Sequence, residues 1–199
     1  LLIATDAPDE GRTEYMYATD GKLRFSQSAE QRSRGNNIFS YTHYDYLGRL
    51  IEAGEYKGTL LFNSAGLKAL LDTDGSIWPI GDVSDWGKVY YDLPQDDFPS
   101  DPNHPAQSFT YGAVVASENE HSKTWYSYDE FGRLAFSIQH INELAKNYTL
   151  DYTYDFVGNV TQVSYQRDIP GEGFFHHYVY DADQRLSEVY TSVDGVFAN

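Results

Sequence analysis

The pentapeptide pattern Tyr-Asp-x-x-Gly occurs three times in this chain, at Tyr44-Asp45-Tyr46-Leu47-Gly48, Tyr128-Asp129-Glu130-Phe131-Gly132 and Tyr154-Asp155-Phe156-Val157-Gly158. Arg49, Arg133 and Asn159 follow the glycines, and Leu50, Leu134 and Val160 come next. Two degenerate copies keep the frame. One is Tyr178-Val179-Tyr180-Asp181-Ala182-Asp183-Gln184-Arg185-Leu186, with Gln184 for the glycine. The other is Tyr15-Met16-Tyr17-Ala18-Thr19-Asp20-Gly21-Lys22-Leu23, with Ala18 for the aspartate. Asp129, Asp155 and Asp181 are spaced by 26 residues, and Ala18 and Asp45 by 27. A fixed period of this length restricts the fold more than any other feature, because each copy must bury its apolar surface against its neighbours.

The chemistry of one copy predicts strand, tight turn, strand. Tyr-x-Tyr (Tyr15/Tyr17, Tyr126/Tyr128, Tyr152/Tyr154, Tyr178/Tyr180) places two rings on one face of an extended segment. An aspartate opening a type I turn accepts main-chain N–H groups two or three residues on. The glycine three places later takes the left-handed conformation that closes such a hairpin. Arg/Lys/Asn followed by Leu/Val starts the return strand. On this account Asp45, Asp129, Asp155 and Asp181 are turn residues, with Tyr44, Tyr128, Tyr154, Tyr180, Gly48, Gly132, Gly158, Arg49, Arg133, Asn159 and Arg185 as their partners in the motif. Catalytic or metal-binding aspartates are the competing account, which five equivalent turn positions disfavour.

The return strands break simple alternation. Val160 and Val163, like Leu186 and Val189, lie three apart, which calls for a β-bulge or for a sheet buried on both faces. Looser second loops fall at Ile141–Asn147, Asp168–Gly173 and Asp194–Gly195, and Ile138, Ile141, Leu144 and Ala145 fit one amphipathic helical turn. The units therefore run near 13–36, 37–57, 121–147, 148–173 and 174–199. Residues 58–120 are an irregular insertion or decayed copies. Within them, residues 92–107 hold four of the seven prolines and read as an acidic extended loop. Trp86–Tyr91 and Ser108–Ala116 read as strands, and Ser117–Glu120 reads as the turn before a strand His121–Tyr128.

Composition agrees with strands and narrows the function. Eighteen Tyr and 11 Phe stand against one Met, and aromatic rings favour the pleated surface. The net charge of −16 disfavours nucleic acid and anionic membranes, whose ligands gather basic residues. No apolar run approaches the length of a membrane-spanning helix, and no signal peptide is visible. Without cysteine there are no disulfides. The start on Leu1 and the stop on Asn199 read as cuts inside a longer polypeptide.

Tyr-x-Tyr-Asp-x-x-Gly-Arg/Asn-Leu/Val units over residues 13–57 and 121–199 resemble the RHS/YD-repeat family, which includes bacterial polymorphic toxins, insecticidal toxin-complex components and teneurins. The resemblance implies an all-β array of antiparallel hairpins within a β-sheet that spirals into a hollow shell. Such a shell encloses a cargo, often a toxin domain, or serves as a scaffold. It implies a secreted or cell-surface bacterial protein whose partners are adjacent repeats and a cargo domain of the same chain, with surface glycans or secretion machinery beyond them. The family's self-cleaving core has no counterpart here, since Asp101-Pro102 lacks the surrounding motif. A non-enzymatic segment without cofactor is expected.

Other chemistry is weaker. Asp72-Thr73-Asp74-Gly75 begins like a calcium loop but has Ser76, Trp78, Ile80 and Val83 at the later ligand positions. His176 and His177 are adjacent and point to opposite faces of a strand. Asn147 and Asn159 start glycosylation sequons that arise easily by chance. The serious rival is a glycan-binding adhesin, in which Trp78, Trp86 and Trp125 would stack on sugar rings. The bland alternative for tryptophan is the core, and it is favoured.

Overall fold

The computed structural model describes residues 1–73 and 81–197. It divides into two compact units, Leu1–Val89 and Tyr90–Asn199. In the first, β1 (Ala4–Ala7), β2 (Gly11–Tyr17), β3 (Leu23–Gln27), β4 (Ile38–Tyr44), β5 (Leu50–Gly58) and β6 (Gly81–Tyr91, its last two residues in the second unit) pair antiparallel in chain order. In the second, β7 (Val114–Asn119), β8 (Ser122–Tyr128), β9 (Leu134–Ile141), β10 (Lys146–Tyr154), β11 (Val160–Tyr165), β12 (Phe174–Tyr180) and β13 (Leu186–Ser192) do the same. Each unit is thus a meander of hairpins, the fold class that the repeat predicts.

The odd spacing on the return strands has a single cause. At each Tyr-Asp turn the register slips by one residue beside the last tyrosine, between Met16 and Tyr17, His43 and Tyr44, Ser127 and Tyr128, Thr153 and Tyr154, and Val179 and Tyr180. Tyr152 faces Val163 while Tyr154 faces Val160. Two residues that ought to lie on opposite faces therefore share one, because the bulge inserts an extra residue between them. Leu186 and Val189 follow the same rule opposite Tyr180 and Tyr178.

The first unit's core gathers Met16, Phe25, Phe39, Tyr41, Tyr56, Phe62 and Leu67, all buried. Phe25 meets Phe39 edge to face with ring centres 5.6 Å apart, and Phe39 tilts against Tyr56 at 4.8 Å, within the range where aromatic pairs add to simple burial. Two short helices that the strand pattern does not announce support this core. Ser28 caps α1 (Ala29–Arg34) through a reciprocal box with Gln31, and Ser64 caps α2 (Ala65–Lys68), whose Leu67 is fully buried. The second unit's core centres on Ala116, Trp125 and Ile138, with Tyr90, Phe98 and Phe136 packed around them.

Three local expectations need correction. Ile138 and Ile141 belong to β9, and only Asn142–Leu144 turn, as one 3-10 turn ended by Ala145 at φ 48°. The edge pairing of Lys146 with Ile141 leaves no room for a longer helix. Residues 108–113 are not strand. Phe109 sits at φ 52°, Ala113 N–H closes a turn on the Thr110 carbonyl, and Phe109 and Tyr111 point to solvent. Residues 117–119 extend β7, and the turn lies at Asn119–Ser122, where the Asn119 carboxamide oxygen accepts from His121 and Ser122 main-chain N–H at 2.9 Å each.

Candidate functional site

The recurring site is the turn itself. At Asp129 the main chain closes twice, Asp129 N–H on the Arg133 carbonyl at 2.9 Å and Gly132 N–H on the Asp129 carbonyl at 3.0 Å. The carboxylate then takes Phe131 N–H and Arg133 N–H on Oδ1 at 2.9 Å each, and Arg133 Nε on Oδ2 at 2.7 Å. Asp45 binds Arg49 N–H and Nε at 2.8 and 2.7 Å. Asp181 binds Arg185 N–H and Nε at 3.0 and 2.9 Å. Asp155 takes Val157, Gly158 and Asn159 N–H on Oδ1 and the Asn159 side chain on Oδ2.

Partial burial would push Asp129 up, but the donated hydrogen bonds and the Arg133 charge outweigh it and hold its carboxyl below the usual range. Asp45 and Asp155 follow the same balance. For Asp181 the Arg185 main-chain bond leads, with the same result. These carboxylates are ionised and occupied as acceptors, which is the reverse of what general-acid chemistry needs.

Gly48, Gly132 and Gly158 lie at φ 83°, 76° and 103°, the region an L side chain resists. Gln184 occupies the same place at φ 64°. In the copy lacking the aspartate, Asp72 reaches in from far along the chain, its Oδ1 accepting Thr19 N–H at 2.7 Å and Thr19 Oγ1 at 2.9 Å, one place earlier than the first donor the motif aspartates take. Asp20 takes Lys22 N–H at 3.0 Å and pairs with the Lys22 ammonium.

A second element of the site is a lateral staple. In three of the four Tyr-x-Tyr pairs the last tyrosine donates its hydroxyl to a main-chain carbonyl on an earlier strand: Tyr128 to Val114 at 2.7 Å, Tyr154 to Leu134 at 2.8 Å and Tyr180 to Val160 at 3.0 Å. For Tyr154 and Tyr180 the acceptor is the first residue of the preceding return strand. Burial, reinforced by the Asp129 charge, pushes the Tyr154 hydroxyl up and keeps it a donor. The Arg133 guanidinium lies 4.3 Å from the Tyr154 ring centre and donates to the Asp155 carbonyl at 3.4 Å, so one turn grips the next. Lys22 reaches over Tyr44 in the same manner at 5.9 Å, and Asn159 instead bonds the Gln184 side chain. The motif predicts the turn; the staple is visible only once the strands are in register.

Of the tryptophans, Trp78 lies outside the described residues. Trp125 is buried, with its indole N–H on Asp97 at 3.1 Å, so it offers no face to a sugar. Trp86 is half-buried beside Gly54, where a Cβ would come within 2.9 Å of it, and Lys88 sits 5.0 Å from its ring. His176 stacks with Tyr178 while His177 tilts against Tyr190, on opposite faces. Among the described residues no three His, Asp or Glu side chains converge as metal ligands. Asp74 to Ile80 of the calcium-like stretch lie outside the described residues.

No family model matches the chain, and no curated protein does. Solved structures do. Crystal structures of TcdB2-TccC3-Cdc42, of TcdB2-TccC3 without its hypervariable C-terminal region, and of TcdB2-TccC3-TEV each align with a TM-score of 0.63 over 97% of this chain, at 13, 14 and 13% identity. The chain spans 8% of the length of the chains it matches. At that identity the likeness is one of fold.

Proposed function

We propose that this chain is a wall segment of an RHS/YD-repeat shell in a secreted or cell-surface bacterial protein, non-catalytic in itself, that encloses a cargo such as a toxin domain or acts as a scaffold. The observation that carries the reading is the repeated turn and staple. Every motif aspartate is spent on main-chain donors and on the guanidinium or, at Asp155, the carboxamide that follows its turn, and the final tyrosines of three copies tie one hairpin to another. A module built this way extends sideways by adding copies, which suits a wall. The likeness in fold to the TcdB2-TccC3 structures supports the same assignment. Its first partners are flanking repeats and a cargo domain of the same parent chain, with secretion machinery or surface glycans as later contacts.

The test is electron microscopy of the chain expressed with its flanking parental segments, combined with protease digestion. A hollow particle that protects an internal polypeptide is the expected result. A solid globule with no protected segment sinks the shell. Glycan binding lost on Trp86→Ala, without an enclosing particle, would transfer the assignment to an adhesin.

A further inference from the structure

We propose that residues 98–106 form a latch over one face of the second unit's sheet, held shut by the protonated form of His104 and released when that imidazole loses its proton. The register places Trp125, Ser127, Phe136, Ile138, Thr149 and Asp151 on this face. The loop after β6 lies across it, tethered at both ends. On one side Asp97 binds the Lys123 ammonium at 2.6 Å and the Trp125 indole at 3.1 Å. On the other, Gln107 Nε2 donates to the carbonyls of Val115 and Tyr126 at 2.7 and 2.8 Å, and Ser108 N–H donates to Ser127 Oγ at 2.9 Å.

Between these tethers His104 is 1% exposed. Its Nδ1 lies 2.9 Å from Asp101 Oδ2 and its Nε2 lies 2.9 Å from Asp151 Oδ1. Asp101 belongs to the loop and Asp151 to β10. Arg167, which follows β11, approaches the same Asp151 oxygen at 3.2 Å and also pairs with Asp168. The ring rests against Phe136 of β9, 4.6 Å between centres, which contributes no charge.

Both ring nitrogens face carboxylates, and only the imidazolium carries two N–H donors. Loss of the proton to solvent leaves one lone pair aimed at a carboxylate oxygen at 2.9 Å, and removes one positive charge from a pocket holding two negative ones. Asp151 is buried, so it cannot turn to water, and among the described residues its Oδ2 has no hydrogen-bond partner. The strain therefore falls on the loop side. The Asp151 hydrogen bond, opposed by burial and reinforced by Asp101, raises His104 above its ordinary value of 6.5. The sign follows: the latch is fully formed below about 6.5 and weakens as pH climbs through the raised folded value. On the acid side it lasts until Asp101 is protonated. Burial works against that carboxylate, but His104 and the main-chain N–H groups of Asn103 and His104 hold it below the usual range.

Hydrogen exchange of the 199-residue chain, read by mass spectrometry and corrected for intrinsic rates, tests this. Amides 98–106 lose about tenfold in protection between pH 6 and pH 9, while β8, β9 and β10 keep theirs. Asp101→Asn removes one of the two carboxylates and shifts the midpoint down by roughly one pH unit. His104→Gln abolishes the pH response; should that variant not fold, the Asp101→Asn shift carries the test. Protection that is flat with pH in the parent chain, an unmoved midpoint in Asp101→Asn, or a loss shared equally by the three strands each overturns the latch.

Discussion

The turn at Asp129 and the turn at Ala18 close through the same two main-chain bonds. Ala18 N–H meets the Lys22 carbonyl at 2.9 Å and Gly21 N–H meets the Ala18 carbonyl at 3.0 Å. They differ in where the carboxylate comes from. Asp129 at the first turn position takes the N–H four places on, whereas at Ala18 that donor, Lys22 N–H, passes to Asp20, and Asp72 from a segment that follows α2 holds Thr19 in addition. The backbone conformation therefore persists without an aspartate at the first position, whose work a neighbouring turn residue and a distant carboxylate share. The turn at Asp181 makes the complementary point. It keeps the aspartate and surrenders the glycine, leaving Gln184 at φ 64°.

Four substitutions sharpen this contrast. The largest effect is expected from Asp129→Ala, which strands the Phe131 and Arg133 donors and frees Arg133 from its place over Tyr154. The melting midpoint should fall by several degrees. An unchanged midpoint would mean that water replaces the carboxylate without loss. Gly132→Val comes next, at about 2 kcal/mol by denaturant titration, since a β-branched residue resists φ 76°. Among the described residues beyond its chain neighbours no atom lies within 4 Å of an added Cβ, so the main cost is conformational, and a much larger loss would point to a clash of the valine methyl groups.

Tyr154→Phe removes the staple to Leu134 and should cost about 1 kcal/mol. A double cycle with Arg133→Ala would show whether stack and staple act together. The smallest effect has the opposite sign: Gln184→Gly relieves the left-handed strain and should stabilise by about 0.5 kcal/mol, partly offset by glycine's entropy. Loss of stability there would show that the Asn159–Gln184 hydrogen bond outweighs the strain.

The same turns give an acid signature. Asp45, Asp129, Asp155 and Asp181 all sit below the usual carboxylate range, so their contribution is present above the unfolded value near 4 and drains as pH falls through the lowered folded values. Urea midpoints should therefore decline on the acid side. The latch at His104 declines on the alkaline side. His43, which burial pushes down to about 4 against the pull of Glu52, adds to the acid loss, because it must charge inside the first unit's interior.

The sequence by itself determined the hairpins, their period and their turns, because that information is local. An aspartate, a glycine three places on and a tyrosine pair act over a handful of residues, while Val160 and Val163 lying three apart left a bulge and a sheet buried on both faces equally open until the register decided for the bulge. The capping box of α1 was legible too, since Ser28 precedes Gln31 by three residues, though the strand pattern overshadowed it; α2 has only the one-way cap of Ser64 on Leu67 N–H. What only the tertiary structure decided is who meets whom across the sheet. Asp72 reaches Thr19, Tyr154 reaches the Leu134 carbonyl, and His104 is placed between Asp101 and Asp151. No spacing rule encodes these partners. They depend on strand register and on the path of an irregular loop, which are fixed by the packing of the whole sheet and not by any short stretch of chain.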